Sequence, residues 1–155
     1  MPILRFVKLR DDAYLPVKGT IDSAGFDLTA PDDFVIGARQ TVKVPLGLMS
    51  EITYSGNEIP YLQVVSRSGM AFKGIVVANS PGIIDADYRG EICVLLRNNN
   101  DHEVSIDRGV RIAQLIPATV PQFHVSNTPK PLSNERGTGG FGSTDSLNYE
   151  GTSTV

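Results

Sequence analysis

The chain has one cysteine, Cys93, so no internal disulfide can form and nothing points to an oxidising compartment. Positive charge is not in surplus. Fourteen Lys and Arg against 17 Asp and Glu leave a net charge of −3, which argues against a general nucleic-acid or anionic-membrane binder. Charged residues interrupt each apolar run well before bilayer length, so no membrane span is expected. Arg5 and Lys8 fall inside any hydrophobic region of the first nine residues, so that segment does not read as a signal peptide. A cytoplasmic location is expected. His102 and His124 stand alone, with no partner at zinc-ligand spacing. A Walker A sequence and a G-x-S-x-G elbow are both missing.

Long amphipathic helices are missing too; at most, Ser68 to Lys73 makes a short helical turn. What is present is apolar alternation of period two. Thr41–Val44 and Glu103–Ile106 alternate, while Ile75–Ala78 and Ile92–Leu96 are short apolar runs rich in β-branched residues. Those two runs read as strands buried on both faces, and Cys93, within the second, as a core residue. Gly 15 and Pro 10 make about 16% of the chain against a usual 12% or so. Turn signals recur at Pro31-Asp32-Asp33, Ser55-Gly56-Asn57, Ser80-Pro81-Gly82, Asn98-Asn99-Asn100-Asp101 and Asp107-Arg108-Gly109. About ten short strands with frequent turns predict an all-β fold, a jelly-roll-like sandwich or barrel. With 155 residues the chain is long enough for one domain. That domain is expected over residues 1–126, with Gln122–Val125 as its last strand. Residues 127–155, rich in Pro, Ser, Thr, Asn and Gly, are expected to form a flexible C-terminal tail.

Three segments carry candidate chemistry. Arg136 to Thr144 holds a cation, an aromatic, hydroxyls and four glycines in nine residues. It matches G-x-G-x-x-G, but the dinucleotide fingerprint needs a flanking strand and helix, and only a short polar stretch follows. Its chemistry still suits an anion; a solvated tail is the plain alternative. Ser66-Arg67-Ser68-Gly69 follows the apolar run Tyr61–Val65 and suits either an oxyanion or an ordinary turn. Gly82 to Gly90 sets Asp85 and Asp87 beside Tyr88 and Arg89 at an expected hairpin. Alternation puts both acids on one face of an extended strand. Flanking Ile83 and Ile84 would partly desolvate Asp85, which suits a general base; a polar turn fits the same residues.

In order, these segments resemble the five motifs of the trimeric dUTPase family: Ser23–Leu28, Arg67–Ala71, Asn79–Gly90, Gly109–Leu115 and Arg136–Thr144. The resemblance covers about residues 3 to 144. It implies a jelly-roll homotrimer with active sites at subunit interfaces. The implied reaction is hydrolysis of dUTP to dUMP and pyrophosphate, with Mg²⁺ held on the triphosphate. This keeps uracil out of DNA and supplies dUMP for thymidylate synthesis. By that resemblance Asp85 activates the water that attacks the α-phosphorus. Asn79, Gly82 and Ile84 belong to the uracil and sugar site, and Tyr88 packs under the deoxyribose, excluding a 2′-hydroxyl. Arg67, Ser68, Gly69 and Gln114 of a second subunit bind phosphate. A third subunit's tail closes over the ligand, Phe141 stacking on uracil and Arg136, Gly142, Ser143 and Thr144 meeting phosphate. No direct protein ligand to the metal is expected; Asp27 supports the site near Arg67, or from the outer sphere of the metal.

Two positions depart from the family pattern. Val110 stands where many relatives have an acid, and Ser66 where many have proline. Residues 145–155 extend past the fifth motif with no role assigned. A dCTP deaminase of the same fold is the nearest rival enzyme, but its catalytic Glu would fall on the strand reading Val94-Leu95-Leu96. A nucleotide-binding regulatory protein is the other alternative.

Overall fold

Alternation of period two along the chain becomes eleven strands and one five-residue helix among the described residues of a computed structural model. The structure describes residues 1–130, 133, 134 and 138. In chain order the elements are β1 (Ile3–Lys8), β2 (Phe26–Thr29), β3 (Phe34–Ile36), β4 (Thr41–Pro45), β5 (Leu48–Thr53), β6 (Glu58–Val65) and α1 (Ser68–Phe72). β7 (Ile75–Val77), β8 (Gly82–Ile84), β9 (Cys93–Asn98), β10 (Val104–Ile106) and β11 (Arg111–Pro121) follow. The fold is all-β, as the sequence predicts, and consistent with a jelly roll.

The strands form a four-stranded sheet in the order β2-β11-β6-β8, a three-stranded sheet β4-β9-β7, and the pairs β1-β5 and β10-β3. All pairings are antiparallel. The long strand β11 carries the first sheet, setting Gln114 opposite both Asp27 of β2 and Val65 of β6. Leu28, Leu62, Leu115, Ile36, Ile75, Val94, Leu96 and Ile112 are almost fully removed from solvent and form one cluster. Each such side chain contributes about 1.5–3 kcal/mol through burial.

Three expectations give way. First, β7 and β9 are not buried on both faces: Val94 and Leu96 are buried, whereas Val76, Cys93 and Leu95 are half-buried. Cys93 is therefore not a core residue. It opens β9 on the outward face, where it lines a cavity, and burial still pushes its thiol pKa up.

Second, Gln122–Val125 is not a strand. Pro121 pairs with Glu58, the first residue of β6, so the neighbouring strand ends there, and beyond it Gln122 makes only one backbone bond, its amide donating to the Asn57 carbonyl at 3.4 Å. Third, Gly82–Gly90 is no hairpin. β8 pairs with β6, and β9 lies in the other sheet. The Tyr88 amide donates to the Asp85 carbonyl at 3.1 Å, closing a turn, so Asp85 and Asp87 do not share the face of a strand. The chain divides into two compact units, Met1–Gln122 and Phe123–Val155.

Candidate active site

Two groups of side chains collect near the C-terminal half of β6, one where the strand ends and one on its neighbour β8. At the C-terminal end of β6 the chain leaves the sheet through Ser66 and Arg67 and enters α1. The Ser66 hydroxyl accepts the Val77 amide at 2.8 Å, a bond that proline at this position would lack. Arg67 then reaches Asp27 on β2, its Nε 2.8 Å from Oδ1. The N–H there does not point at the oxygen, so the contact is a charge pair rather than a directed hydrogen bond.

Arg67 Nη1 donates to the Arg111 carbonyl at 3.0 Å, and Arg111 Nη1 donates to Asp27 Oδ2 at 2.9 Å. One buried carboxylate thus holds two guanidinium groups. A Cβ at Gly25 would meet the Gln114 side-chain oxygen at 3.3 Å, so the bare backbone there makes room for Gln114. Ser68 is exposed, and the space around Gly69 is open. Val110, the departure in the fourth motif, is half-buried and packs on the core.

The second group surrounds β8. Gly82 pairs with Val64 and Ile84 with Leu62, so β8 runs away from the end that carries Arg67. Gly82 is buried, and a Cβ there would crowd the Asn79 amide at 3.0 Å. The Ser80–Pro81 peptide is cis. Ile84 is buried, while Ile83, Asp85 and Tyr88 are exposed. The desolvation expected for Asp85 is therefore not found in the single chain: Ile84 points into the core and leaves the carboxylate outside.

Tyr88 donates through its hydroxyl to the Glu91 carbonyl at 3.1 Å, and its ring lies so close to Gly90 that a Cβ there would collide with it. Asn79, Asp85 and Tyr88 line one cavity of about 380 Å³ with Lys43, Glu91 and Cys93. Among the described residues, no side-chain hydrogen bond or ion pair joins this group to the one around Asp27. Arg136, Phe141, Gly142, Ser143 and Thr144 lie outside the described residues.

Motif reading brought Asp27, Arg67 and Gln114 together but gave no role to Arg111 or Glu91. Glu91 directly follows the third motif, which was the available signal. As for a metal, no three His, Cys, Asp or Glu cluster among the described residues. Asp27 already has both oxygens against guanidinium groups. The donor set fits an ion carried by phosphate oxygens better than one held by the chain.

A sequence model of the dUTPase family matches residues 11–145. The chain belongs to the dUTPase family. It is 43% identical over 142 residues to a deoxyuridine 5′-triphosphate nucleotidohydrolase of Nautilia profundicola, covering 91% of this chain and 97% of that one. It is 44% identical over 150 residues to the enzyme of that name from Caulobacter vibrioides, covering 91% and 93%. In fold it is similar to a mutant dUTPase of Staphylococcus bacteriophage 80alpha solved with dUpNHpp (TM-score 0.78, 21% identity, 92% of this chain and 98% of the other). A mutant phage phi11 dUTPase, whose description names a structural Mg(II) ion, superposes with a TM-score of 0.70 at 18% identity (83% and 97% covered). No helix among the described residues is long and apolar enough to cross a membrane.

Proposed function

We infer that this chain hydrolyses dUTP to dUMP and pyrophosphate in active sites shared between the subunits of a homotrimer. The observation that supports the sharing is that, among the described residues, no side-chain hydrogen bond or ion pair joins Asp85 or Tyr88 to the group of Arg67, Arg111 and Asp27. Asp85 and Tyr88 follow β8 past Leu62, away from Arg67, whereas Asn79 and Gly82 lie beside Val64, and the guanidinium groups of Arg67 and Arg111 are both turned to Asp27. A second copy brings to Asp85 the guanidinium group that, among the described residues, its own chain turns to Asp27 instead.

In that arrangement Asp85 takes the proton of a water attacking the α-phosphorus, and its exposure leaves the carboxylate open to that water. Arg67, Ser68, Gly69 and Gln114 of the neighbouring subunit receive phosphate oxygens. Mg²⁺ on the triphosphate offsets its negative charge. Asp27 acts through Arg67, holding the guanidinium in place. Asn79, the buried Gly82 and Ile84 fix the base side of the cavity. Uracil presents acceptor, donor and acceptor along its pairing edge, so cytosine would leave fixed polar groups unpaired. Tyr88 lies under the sugar. Phe141 of a third subunit stacks on uracil, and Arg136, Gly142, Ser143 and Thr144 close over the phosphates. The domain then comprises residues 1–126, and 127–155 form the tail.

Deaminase chemistry is not favoured, since Val94 and Leu96 are core residues and Leu95 supplies no acid. The test is a panel of dUTP, dCTP, dTTP and UTP with Mg²⁺, scored for pyrophosphate and ammonia. Pyrophosphate from dUTP alone is expected, with Asp85→Asn lowering kcat by at least ~100-fold while dUTP still binds. Truncation after Asn134 is expected to preserve the trimer and cripple turnover. Ammonia from dCTP, or equal rates for Asp85→Asn, would overturn the reading.

A further inference from the structure

Glu91 lines the same cavity as Asp85 and Tyr88, yet its carboxylate is turned elsewhere. Oε1 accepts the backbone amide of Gly47 at 2.7 Å, across 44 residues of chain. Gly47 sits between β4 and β5 with φ +65°, and a Cβ there would collide with Arg10. It is thus a position where only glycine fits well. On either side of this contact the backbone is also paired: Leu46 donates to Ile92 at 3.0 Å, and Ile92 donates to Leu48 at 2.7 Å. The Glu91 side chain satisfies the one amide that these two bonds leave between them, at a half-buried site.

The carbonyl of the same residue accepts the Tyr88 hydroxyl at 3.1 Å. The ring is further fixed by its close approach to Gly90, and the Tyr88 amide is held by Asp85. The position of the ring therefore depends on where the Glu91 backbone stands, and the Glu91 side chain anchors that backbone to the β4–β5 turn. With its oxygen committed to Gly47, Glu91 is poorly placed to serve as a second base.

We propose that Glu91 is a positioning residue for sugar selection: through its tie to Gly47 it holds the Tyr88 ring where a 2′-hydroxyl would need to go. This rests on the reading that Tyr88 packs under deoxyribose. A purely steric site discriminates against one added hydroxyl by on the order of 100-fold, and that depends on a wall that cannot retreat. Releasing the wall should admit the ribonucleotide more than it slows the deoxyribonucleotide.

The experiment compares kcat/KM for dUTP and for UTP in the full-length protein with Mg²⁺, alongside thermal midpoints. For Glu91→Ala the dUTP/UTP ratio is expected to fall roughly tenfold, a fraction of the steric discrimination above. Glu91→Gln keeps an acceptor at the same reach and should retain most of the ratio. Glu91→Asp keeps the charge but falls short of Gly47 and should behave like Glu91→Ala. If Glu91→Ala does not fold, Glu91→Asp and Tyr88→Phe, which removes the hydroxyl donor, carry the same expectation. A variant set that loses thermal stability and slows both nucleotides alike, with the ratio unchanged, overturns the proposal and leaves dUTP hydrolysis standing. Wild-type protein that releases no pyrophosphate from dUTP overturns both.

Discussion

Asp27 Oδ1 lies 2.8 Å from Arg67 Nε, and the aspartate is only 7% exposed. Its other oxygen takes Arg111 at 2.9 Å. A buried carboxylate is stabilised by such partners, and removing its charge leaves two cations facing each other. Asp27→Asn is therefore expected to cost about 1–3 kcal/mol of stability and to release Arg67 from its fixed direction. Arg111→Ala keeps Asp27 paired with Arg67 but lets the pair move. It should raise KM for dUTP by about tenfold, the effect of losing ~1.4 kcal/mol of binding, with a smaller change in kcat. Steady-state kinetics on the folded variants checks both; an unchanged KM in Arg111→Ala would contradict the shared-carboxylate account.

That Asp27, Arg67 and Gln114 lie near one another was legible from the motifs, because strand order brings their segments side by side whatever the side chains do. The role of Arg111 was not. The register of β11 against β2 shifts between Arg111 and Ala113, and such an irregularity re-aims a side chain in a way that alternation cannot foresee. Asp85 shows the same limit. Period two continued across Ile83, Asp85 and Asp87 in the sequence, but the turn closed by Tyr88 begins at Asp85. Aspartate opens turns readily, and a short window of alternation does not say where a strand stops. The all-β class survived because it rests on many segments at once.

Asn98 was read as part of a turn signal, and it is instead a fully buried strand residue. The two N–H groups of its amide are shared among the carbonyls of Ile36 at 3.0 Å, Gly37 at 3.1 Å and His102 at 2.8 Å, tying the ends of β3 and β9 to the turn before β10. Its oxygen accepts the Asn100 amide at 2.9 Å. Asn98→Ala strands several buried polar groups at once, so a loss of about 2–4 kcal/mol is expected. Asn98→Asp should cost at least as much, since it turns an acid oxygen toward three carbonyls. Denaturant midpoints at fixed protein concentration check this, and specific activity below the transition should stay near wild type, because the hydrogen bonds of the Asn98 side chain go to Ile36, Gly37, Asn100 and His102 and not to Asp85 or Arg67.

Stability at acid pH should depend in part on Arg10. Its guanidinium bonds Asp12 at 2.7 and 2.9 Å and also grips Asp32. Those hydrogen bonds hold both carboxyls below the usual Asp value of 3.8. Because the folded-state values are depressed, the contribution is present above about 3.8, the unfolded value, and is lost as pH falls through the lower folded values. Asp101, bonded by Arg39, shifts in the same direction. All three acids are exposed, so the effect is small and salt should shrink it further. Asp32→Asn is expected to lower the thermal midpoint slightly at neutral pH. The difference from wild type should close well below pH 3.8 and narrow at high ionic strength. A gap that persists in strong acid would mean that Asp32 acts through packing or an uncharged hydrogen bond instead of through its charge.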